Sequence, residues 1–575
     1  MPTNAEVRAQ LTGPGGMFEV VQDEVDGVPM RVYKDRLPNL RAVAELATAR
    51  GDAEPFIVYG DQRIGFTQFF DLSNSVANTW REQFGLAKGD RVAVLSANNP
   101  EWCLSFWATV NSGAILVGLN GWWKTDEIVY GLNDSGAKIL VADRGRFDRI
   151  ADALAAGDLP QVEAVFLIDA GPAHYPGVPK LHTFDELTQA PSSTFPDVPI
   201  DEADYAVIFY TSGTTGKPKG AISSHRNMIA NLQNTIYNTV AGSMQSTDDN
   251  PLATAGGGQT VALLTSPLFH VSGCHSSLVV GTLGGIRLVI PQGRFEPTKA
   301  LELIQEEGVS VWATVPTMVW RVCEYPGRHD YDTSSVRSVA FGGSPSADEL
   351  QRMVRDTFPN VRSTSNAYGL TESSSVATVI NGQDALDKPT SVGPPVPVVD
   401  IAILGANGEH LPQGQTGEVL IKGPIIMPGY WGKPEATAET VIDGWLHTGD
   451  IGYLDDEGFL FITDRAKDMI IRGGENIYCV EIEQRLVDHP EVLDAAVIGV
   501  PHPELGEEVK AVVQVEAGSS LTESDVQSWV AETLANFKVP AYVTLQTDKL
   551  PRNASGKLLK NVLRGEGEVS FAETM

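Results

Sequence analysis

Aliphatic runs of strand length recur along the first two thirds of the chain, with segments of helical character between them. The run at 91–96 is followed by Asn99 and Pro100, which favour a helix over 103–113, and then by a second run at 114–120. A strand, a helix and a strand in this order predict a parallel β-α-β unit. The same signature recurs at 138–143, 164–169, 206–211, 261–267, 310–316 and 338–343. The pattern therefore predicts a large α/β architecture with more than one sheet.

The pattern of apolar runs and turn residues changes twice towards the C-terminus. After Gly393, short strands alternate with Gly, Pro and Asp turns, as in a small antiparallel or barrel-like unit. From about Lys467, helical segments mix with strands, and 524–537 predicts an amphipathic helix that begins at a Ser-Asp cap. We therefore expect a large N-terminal domain over 1–466 and a small α+β domain over 467–575. The first sixty residues show no strong period and are expected to wrap the surface.

Composition narrows the classes of partner. The 575 residues include 42 Lys and Arg against 73 Asp and Glu, a formal net charge of −31, which disfavours a nucleic-acid or anionic-membrane surface. The four cysteines form no CxxC pair, which argues against a zinc site and a disulfide framework. The N-terminus has no apolar signal core, and no stretch of about 18 apolar residues occurs. These features favour a cytoplasmic protein.

The strongest chemical feature is YTSGTTGKPKG, residues 210–220, directly after a predicted strand. Its small residues allow backbone N–H groups to approach a phosphate, and its hydroxyls and two lysines supply further donors. A flexible surface loop is the alternative, which the preceding buried strand and the lysines disfavour. A Walker loop has four residues between its glycines, whereas Gly213 and Gly216 have two between them and Pro218 follows Lys217. An ordinary P-loop ATPase or GTPase is therefore disfavoured.

Six further motifs follow this loop in order, and together they resemble the adenylate-forming superfamily, in particular its acyl-CoA synthetase branch. They are PLFHVSG at 267–273, FGGSP at 341–345, NAYGLTE at 366–372, GWLHTGD at 444–450, DRAKDMIIRGGENI at 464–477 and PRNASGK at 551–557. The resemblance covers nearly the whole chain. It implies a large domain of two α/β sheets and a small β-barrel-like unit, followed by a small mobile C-terminal domain.

The resemblance also implies an activity. A carboxylic acid and ATP would give an acyl-adenylate and pyrophosphate, and CoA would then give acyl-CoA and AMP. ATP and CoA would be substrates, and Mg²⁺ would be bound by Glu372 and Thr211. Negative charge develops on phosphate and acyl oxygens in both steps, so cations and oriented donors are the groups that such chemistry needs.

The same resemblance assigns residues to the nucleotide. The phosphates would contact Thr371 and the series Thr211, Ser212, Gly213, Thr214, Thr215, Gly216 and Lys217. The adenine would lie against Tyr368 and Gly369, edged by Gly343, Ser344 and Pro345. Asp450 would accept hydrogen bonds from the ribose hydroxyls, with Arg465 assisting. The groups implied to be catalytic are Thr211, Glu372, His270 and Lys557.

The C-terminal domain would supply Lys557, which neutralises the acyl carboxylate and the α-phosphate as they approach each other. Lys467 matches the family's hinge position, and rotation there would replace Lys557 by the face around Gly473 and Gly474, which suits pantetheine. By the same resemblance His270 would gate the thiol channel or line the acyl pocket, and the alternative is a buried histidine bonded to backbone.

The acid itself is left open by the sequence. A medium- or long-chain fatty acid is our first expectation, and an aromatic or steroid side-chain acid is the alternative. Loading of a carrier-protein thiol in trans and a catalytically inactive nucleotide-binding protein are competing functions, the second disfavoured because Glu372, Asp450, Arg465 and Lys557 are all present. A homodimer is one further expectation that the resemblance carries.

Overall fold

The fold is taken from a computed structural model. It describes residues 3–211, 217–245, 258–342, 348–465, 468–472, 475–503, 505–552 and 558–565. The chain divides into two compact units. The first unit comprises Met1–Pro389, Gly393–Asp400 and Ile421–Leu446, and the second comprises Thr390–Val392, Ile401–Leu420 and His447–Met575.

The first unit contains a seven-stranded sheet that is parallel except at one edge. In spatial order its strands are Lys219–Ser224, Tyr205–Thr211, Ile115–Gly118, Arg91–Leu95, Ile139–Asp143, Ala164–Ile168 and Leu181–Thr183. The first two strands are antiparallel and flank the predicted phosphate loop. Five of these seven strands coincide with apolar runs that were predicted as strands, which confirms the β-α-β prediction.

A second, eight-stranded sheet of the first unit is antiparallel only at its two ends. Its strands are Thr378–Ile380, Ser363–Tyr368, Ser338–Gly342, Val311–Thr314, Val261–Leu263, Arg287–Val289, Pro55–Tyr59 and Gln62–Gly65. Three of the sequence motifs begin at or follow the carboxyl ends of its parallel strands. In open α/β sheets that edge is where ligands bind.

Helices of the first unit cover both sheets. They are Asn4–Thr12, Leu40–Thr48, Phe66–Gln83, Pro100–Asn111, Thr125–Ser135, Arg144–Phe147, Ala151–Ala156, His225–Gln245, Val271–Gly273, Val280–Gly284, Pro297–Glu307, Pro316–Glu324, Asp348–Thr357, Gly382–Asp387 and Pro434–Thr440, with a π-helical segment at Cys274–Val279 and 3-10 turns at Pro172–His174, Phe184–Leu187, Arg328–Asp330 and Thr371–Ser373. One buried cluster includes residues from both sheets, such as Phe56 and Val92, together with helix residues such as Trp107. The two sheets therefore share a core.

The first sixty residues are more regular than their sequence predicts. A helix over Asn4–Thr12 is followed by an antiparallel hairpin of Val20–Val25 and Val28–Tyr33. Asp26 and Gly27 form its turn with φ values of 51° and 80°, the left-handed region that such tight turns require. The first strand exposes residues 22–24 in succession, whereas half of the second strand is buried, so the hairpin has no regular alternation of buried and exposed positions.

The second unit contains two antiparallel-rich sheets. Most of the first sheet belongs to this unit, and its strands are Asp400–Leu404, Gly417–Lys422, Trp445–Leu454 and Val441–Ile442. A fifth strand, Leu460–Arg465, pairs with Trp445–Leu454. The other is formed by Glu475–Ile477, Ile470–Arg472, Gly506–Val515 and Val492–His502, with Tyr542–Gln546 paired parallel to Gly506–Val515. Helices Cys479–Val487, Glu523–Ala531 and Lys560–Leu563 and a 3-10 turn at Asn536–Lys538 complete it.

The predicted Ser-Asp cap of the amphipathic helix is wrong by two residues. Thr522 is the cap: its hydroxyl accepts from the Asp525 N–H, and Asp525 reaches back in a capping box, because the helix begins at Glu523. All four cysteines are buried and unbridged. No helix in the described ranges is both long and apolar enough to cross a bilayer.

Candidate active site

The two flanks of the predicted phosphate loop are fixed by strand pairing. Thr211 ends its strand at the carboxyl edge and pairs with Lys219, the first residue of the next strand. The Thr211 hydroxyl donates to the Lys219 carbonyl at 3.4 Å. On the other flank, the Lys217 ammonium lies 4.8 Å from the ring centroid of Tyr130, within cation–π range. The loop is thus anchored where it begins and where it ends.

Several residues assigned to the site lie outside the described residues. They are Ser212, Gly213, Thr214, Thr215, Gly216, Gly343, Ser344, Pro345, Lys467, Gly473, Gly474 and Lys557. Their assignments stay predictions that rest on the sequence.

Glu372 is carried by a tight turn at the carboxyl end of the strand Ser363–Tyr368. Gly369 begins the turn, and any side chain there would collide with the Ser375 carbonyl oxygen, so only glycine fits. Ser374 and Ser375 have φ values of 50° and 106°, a region that non-glycine residues rarely adopt. The chain therefore reverses direction directly after Glu372 through backbone conformations that are unfavourable for serine.

Hydrogen bonds hold this turn in place. Thr371 starts a single 3-10 turn, and the Ser373 hydroxyl accepts from the Leu370 N–H at 2.8 Å. The Ala377 N–H donates to the Tyr368 carbonyl at 2.8 Å and closes the loop. Tyr368, Thr371 and Glu372, which the sequence assigns to adenine, phosphate and metal, are thus presented by one rigid segment.

Tyr430 connects Glu372 to the strand that follows the phosphate loop. Its hydroxyl donates to Glu372 Oε1 at 2.8 Å, and the Met427 N–H donates to the Glu372 carbonyl at 2.8 Å. The Lys219 ammonium lies 5.0 Å from the centroid of the Tyr430 ring. Burial, and then the Glu372 charge, raise the pKa of Tyr430, so its phenol stays protonated and donates. The first unit therefore connects Glu372 to the strand pair that ends at Thr211 and begins at Lys219.

His270 stands at the start of the short helix Val271–Gly273, in the segment after the strand Val261–Leu263. Its Nε2 is buried with no hydrogen-bond partner among the described residues. Burial lowers the pKa of His270 to about 4, so the imidazole is neutral near pH 7. A backbone bond to Nε2, one alternative for this histidine, is absent from the described structure, and the orphaned nitrogen suits contact with a ligand.

In the second unit, Asp450 and Arg465 face each other across paired strands. Asp450 pairs with Arg465 in the register of Trp445–Leu454 and Leu460–Arg465, and Arg465 Nε lies 2.8 Å from Asp450 Oδ1. Asp450 is 3% exposed. Its N–H donates to the Thr448 hydroxyl at 3.0 Å. The expected ribose carboxylate is therefore fixed in direction and already compensated by a cation.

The two residues that flank the segment of Lys557 are paired with each other. Arg552 and Leu558 form an antiparallel bridge, and the Leu559 N–H donates to the Pro551 carbonyl at 2.8 Å. Arg552 contacts both carboxylate oxygens of Asp494, at 2.9 and 2.7 Å. Both residues that flank 553–557 are thus attached to the sheet of the second unit.

The carboxylate of Glu372 suits Mg²⁺ that is also bound by substrate phosphates and water, rather than a metal ion bound by protein side chains alone. Among residues that the structure describes, no group of three or more His, Cys, Asp or Glu could hold a metal ion. Mg²⁺ is usually bound through one or two carboxylates together with substrate phosphates and water. A single carboxylate at Glu372, beside the phosphate loop, fits that requirement.

Sequence reasoning missed Tyr430, which contacts Glu372, and it missed the ion pair of Asp134 and Lys433. Tyr430 lies in a Gly- and Pro-rich stretch that was interpreted only as turns. Asp134 lies near the end of the helix Thr125–Ser135 and accepts a hydrogen bond from Tyr210, the residue before Thr211. An aromatic residue among turn residues and a carboxylate at a helix end are the only signals that could have drawn attention to them.

Comparison with known families agrees with this geometry. The model of the AMP-binding enzyme family matches residues 44–431. The model of the AMP-binding enzyme C-terminal domain matches residues 481–557. Together these matches include every motif on which the sequence resemblance rests, apart from the segments at 444–450 and 464–477, which lie between them.

Three curated relatives illustrate the range of acids used by similar proteins. A feruloyl-CoA synthase of an Amycolatopsis species is 36% identical over 84% of this chain and 89% of its own. A 3-[(3aS,4S,7aS)-7a-methyl-1,5-dioxo-octahydro-1H-inden-4-yl]propanoyl:CoA ligase of Rhodococcus jostii is 34% identical over 88% and 94%. A long-chain-fatty-acid–CoA ligase of Mycobacterium tuberculosis is 34% identical over 88% and 93%.

Among solved structures, ATP-bound MatB from Rhodopseudomonas palustris is similar with a TM-score of 0.77 and 30% identity. The match covers 92% of this chain and 98% of the MatB chain. The expected α/β fold with a large N-terminal and a small C-terminal domain is thereby confirmed. The chain belongs to the AMP-binding enzyme family, and it is an acid–CoA ligase.

Proposed function

We propose that the enzyme joins an acid with a largely apolar body to CoA, a medium- or long-chain fatty acid being the first candidate. A carboxylate oxygen attacks the α-phosphorus of ATP, the bond to the bridging oxygen of the β-phosphate breaks, and pyrophosphate leaves. The CoA thiolate then attacks the acyl carbon, and the bond to the AMP oxygen breaks. The observation that carries the proposal is the connection of Glu372, through Tyr430 and Lys219, to the strand pair that ends at Thr211 and begins at Lys219.

In the first half-reaction, the segment Thr211–Lys217 binds the β- and γ-phosphates, and Thr371 donates to the α-phosphate. Glu372 and the Thr211 hydroxyl would hold Mg²⁺, and the ion would supply Lewis acidity towards the departing pyrophosphate. The Tyr430 hydroxyl donates to Glu372 Oε1 and thereby fixes the direction of the carboxylate.

Adenine and ribose are bound by different parts of the chain. Tyr368 and Gly369 lie against the base, together with Gly343, Ser344 and Pro345. Asp450 accepts from both ribose hydroxyls while Arg465 holds its carboxylate. Lys557 belongs to the adenylation state, and Gly473 and Gly474 to the CoA-binding state that follows rotation at Lys467.

The role of Asp450 gives a first prediction. Asp450→Asn is expected to raise KM for ATP about tenfold, because an amide offers one acceptor and loses the Arg465 ion pair. The KM for the acid should stay unchanged. Steady-state kinetics of AMP release measure both constants, and Asp456→Asn, an exposed carboxylate in the turn after the same strand, is the control. A KM for ATP equal to that of wild type would contradict the ribose assignment.

The substrate class is tested by mass spectrometry of one reaction. The purified protein is incubated with Mg·ATP, CoA and a pool of aliphatic, aromatic and fused-ring carboxylic acids. We expect AMP together with acyl-CoA masses from aliphatic acids. The long-chain-fatty-acid–CoA ligase relative supports this class, whereas the feruloyl and fused-ring relatives support the alternative.

Other products would identify other functions. Acyl-CoA only from aromatic or fused-ring acids would replace the fatty acid by that alternative. Acyl-adenylate that accumulates without acyl-CoA would indicate transfer to a carrier-protein thiol. Binding of Mg·ATP without turnover of any acid would contradict the ligase reaction.

A further inference from the structure

We propose that Asp134 is a positioning residue that holds both ends of the phosphate-binding segment for the β- and γ-phosphates of ATP. Asp134 lies near the end of the helix Thr125–Ser135, and its side chain is 9% exposed. The inference rests on the proposed role of Thr211–Lys217 in phosphate binding. Asp134 itself is not expected to touch the nucleotide.

Three donors surround the Asp134 carboxylate. The Tyr210 hydroxyl lies 2.9 Å from Oδ2, and the Lys433 ammonium lies 2.9 Å from Oδ1. The Tyr130 hydroxyl lies 3.2 Å from Oδ1. A buried carboxylate is costly unless it is paired and hydrogen-bonded, and this one has a cation and two phenols from three separate parts of the chain.

Two of these donors lead directly to the ends of the phosphate-binding segment. Tyr210 immediately precedes Thr211 and pairs with Gly220 across the hairpin. The Tyr130 hydroxyl also lies 3.1 Å from the carbonyl oxygen of Pro218, the residue after Lys217. Its single proton is shared between that carbonyl and Asp134. Both ends of the segment are therefore attached to one helix.

The charges favour this arrangement. The hydrogen bond to Asp134 raises the pKa of Lys433, which keeps the ammonium charged. Burial, followed by the Asp134 charge, raises the pKa of Tyr210, so its phenol donates rather than ionises. Hydrogen bonds to an ionised acceptor are roughly twice as strong as neutral ones. Asparagine in place of Asp134 would retain the volume but lose this advantage.

Holding Thr211 and Pro218 in place before ATP arrives favours binding, because these flanking residues need no rearrangement. The benefit should apply to ligands whose β- and γ-phosphates reach the segment, and not to AMP, which has neither. Selective loss of ATP affinity therefore distinguishes a positioning role from a general contribution to stability.

Calorimetric titration with Mg·ATP and, separately, with AMP tests the proposal. Asp134→Asn is expected to weaken Mg·ATP binding about tenfold and AMP binding by less than about twofold. The matched control is Asp148→Asn, because the Tyr175 hydroxyl donates to Asp148 at 2.6 Å in a more exposed pair elsewhere in the first unit. That control should leave both affinities unchanged.

Two milder variants keep the test decisive if Asp134→Asn folds poorly. Tyr210→Phe and Tyr130→Phe each remove one hydroxyl, and each should weaken Mg·ATP binding selectively. Combined with Asp134→Asn, neither should add its full effect, because both act through the same carboxylate. Tyr175→Phe is the control for these two.

Equal weakening of Mg·ATP and AMP, or no weakening of either, would overturn the proposal. A wild-type enzyme that binds Mg·ATP no more tightly than AMP would instead contradict the proposed phosphate role of Thr211–Lys217. The two failures are therefore distinguishable.

Discussion

Replacement of Lys557 by alanine is expected to slow acyl-adenylate formation by about 100- to 1,000-fold. Thioesterification of a supplied acyl-adenylate should stay within about tenfold of wild type, because the acyl carboxylate and α-phosphate no longer need to be brought together. The two half-reactions are measured separately, the first by acid-dependent exchange of pyrophosphate into ATP and the second by acyl-CoA release from added acyl-adenylate.

The structural basis for this prediction is the set of contacts made by Arg552 and Leu558, the residues on either side of 553–557. The Arg552–Leu558 bridge and the Arg552–Asp494 ion pair do not involve the lysine side chain, so truncation should leave the segment attached. Lys549→Ala, an exposed lysine in the same unit, should retain both half-reactions. Equal losses in both half-reactions for Lys557→Ala would contradict a role of the lysine that is specific to acyl-adenylate formation.

Glu372→Gln is expected to reduce acid-dependent pyrophosphate exchange by about 100- to 1,000-fold and to raise the Mg²⁺ concentration needed for half-maximal rate. A neutral amide is a poor ligand for Mg²⁺ and a weaker acceptor for the Tyr430 hydroxyl. Rates are measured across a Mg²⁺ series at fixed ATP and acid, so that metal affinity and catalytic rate are obtained from the same titration.

Tyr430→Phe separates metal binding by Glu372 from the positioning of the Glu372 carboxylate by the Tyr430 hydroxyl. It keeps the charge of Glu372 but removes the hydrogen bond at 2.8 Å, and the loss should be about three- to tenfold. Glu439→Gln, an exposed carboxylate on the helix Pro434–Thr440, is the control. An unchanged Mg²⁺ requirement in Glu372→Gln would contradict its assignment as the metal ligand.

The sheets could be predicted from sequence because buried parallel strands require continuous aliphatic runs. Ile139–Asp143 and Ala164–Ile168 lie within one residue of the predicted boundaries, since both faces of each strand are covered. The two-stranded hairpin Val20–Tyr33 was not predicted, because strands that are partly exposed require no continuous aliphatic run.

The phosphate loop was predicted to follow a strand, and Thr211 does end one, but the contacts that support the site were not predictable. The Tyr430–Glu372 hydrogen bond joins residues 58 positions apart, and the Tyr210–Asp134 bond joins residues 76 positions apart. Neither spacing has a period, and a tyrosine or an aspartate has no distinctive neighbours in the chain. Such contacts depend on how helices and loops pack, which local pattern does not specify.

The turn after Glu372 limits how the enzyme could be evolved or engineered. Its run of serines, 373–375, has the composition of an exchangeable loop, yet Ser374 and Ser375 occupy left-handed conformations and Gly369 has no room for a Cβ. β-branched residues at 374 or 375 would force the backbone out of register and move Glu372. Libraries that seek new acid specificity should therefore leave 369, 374 and 375 unchanged.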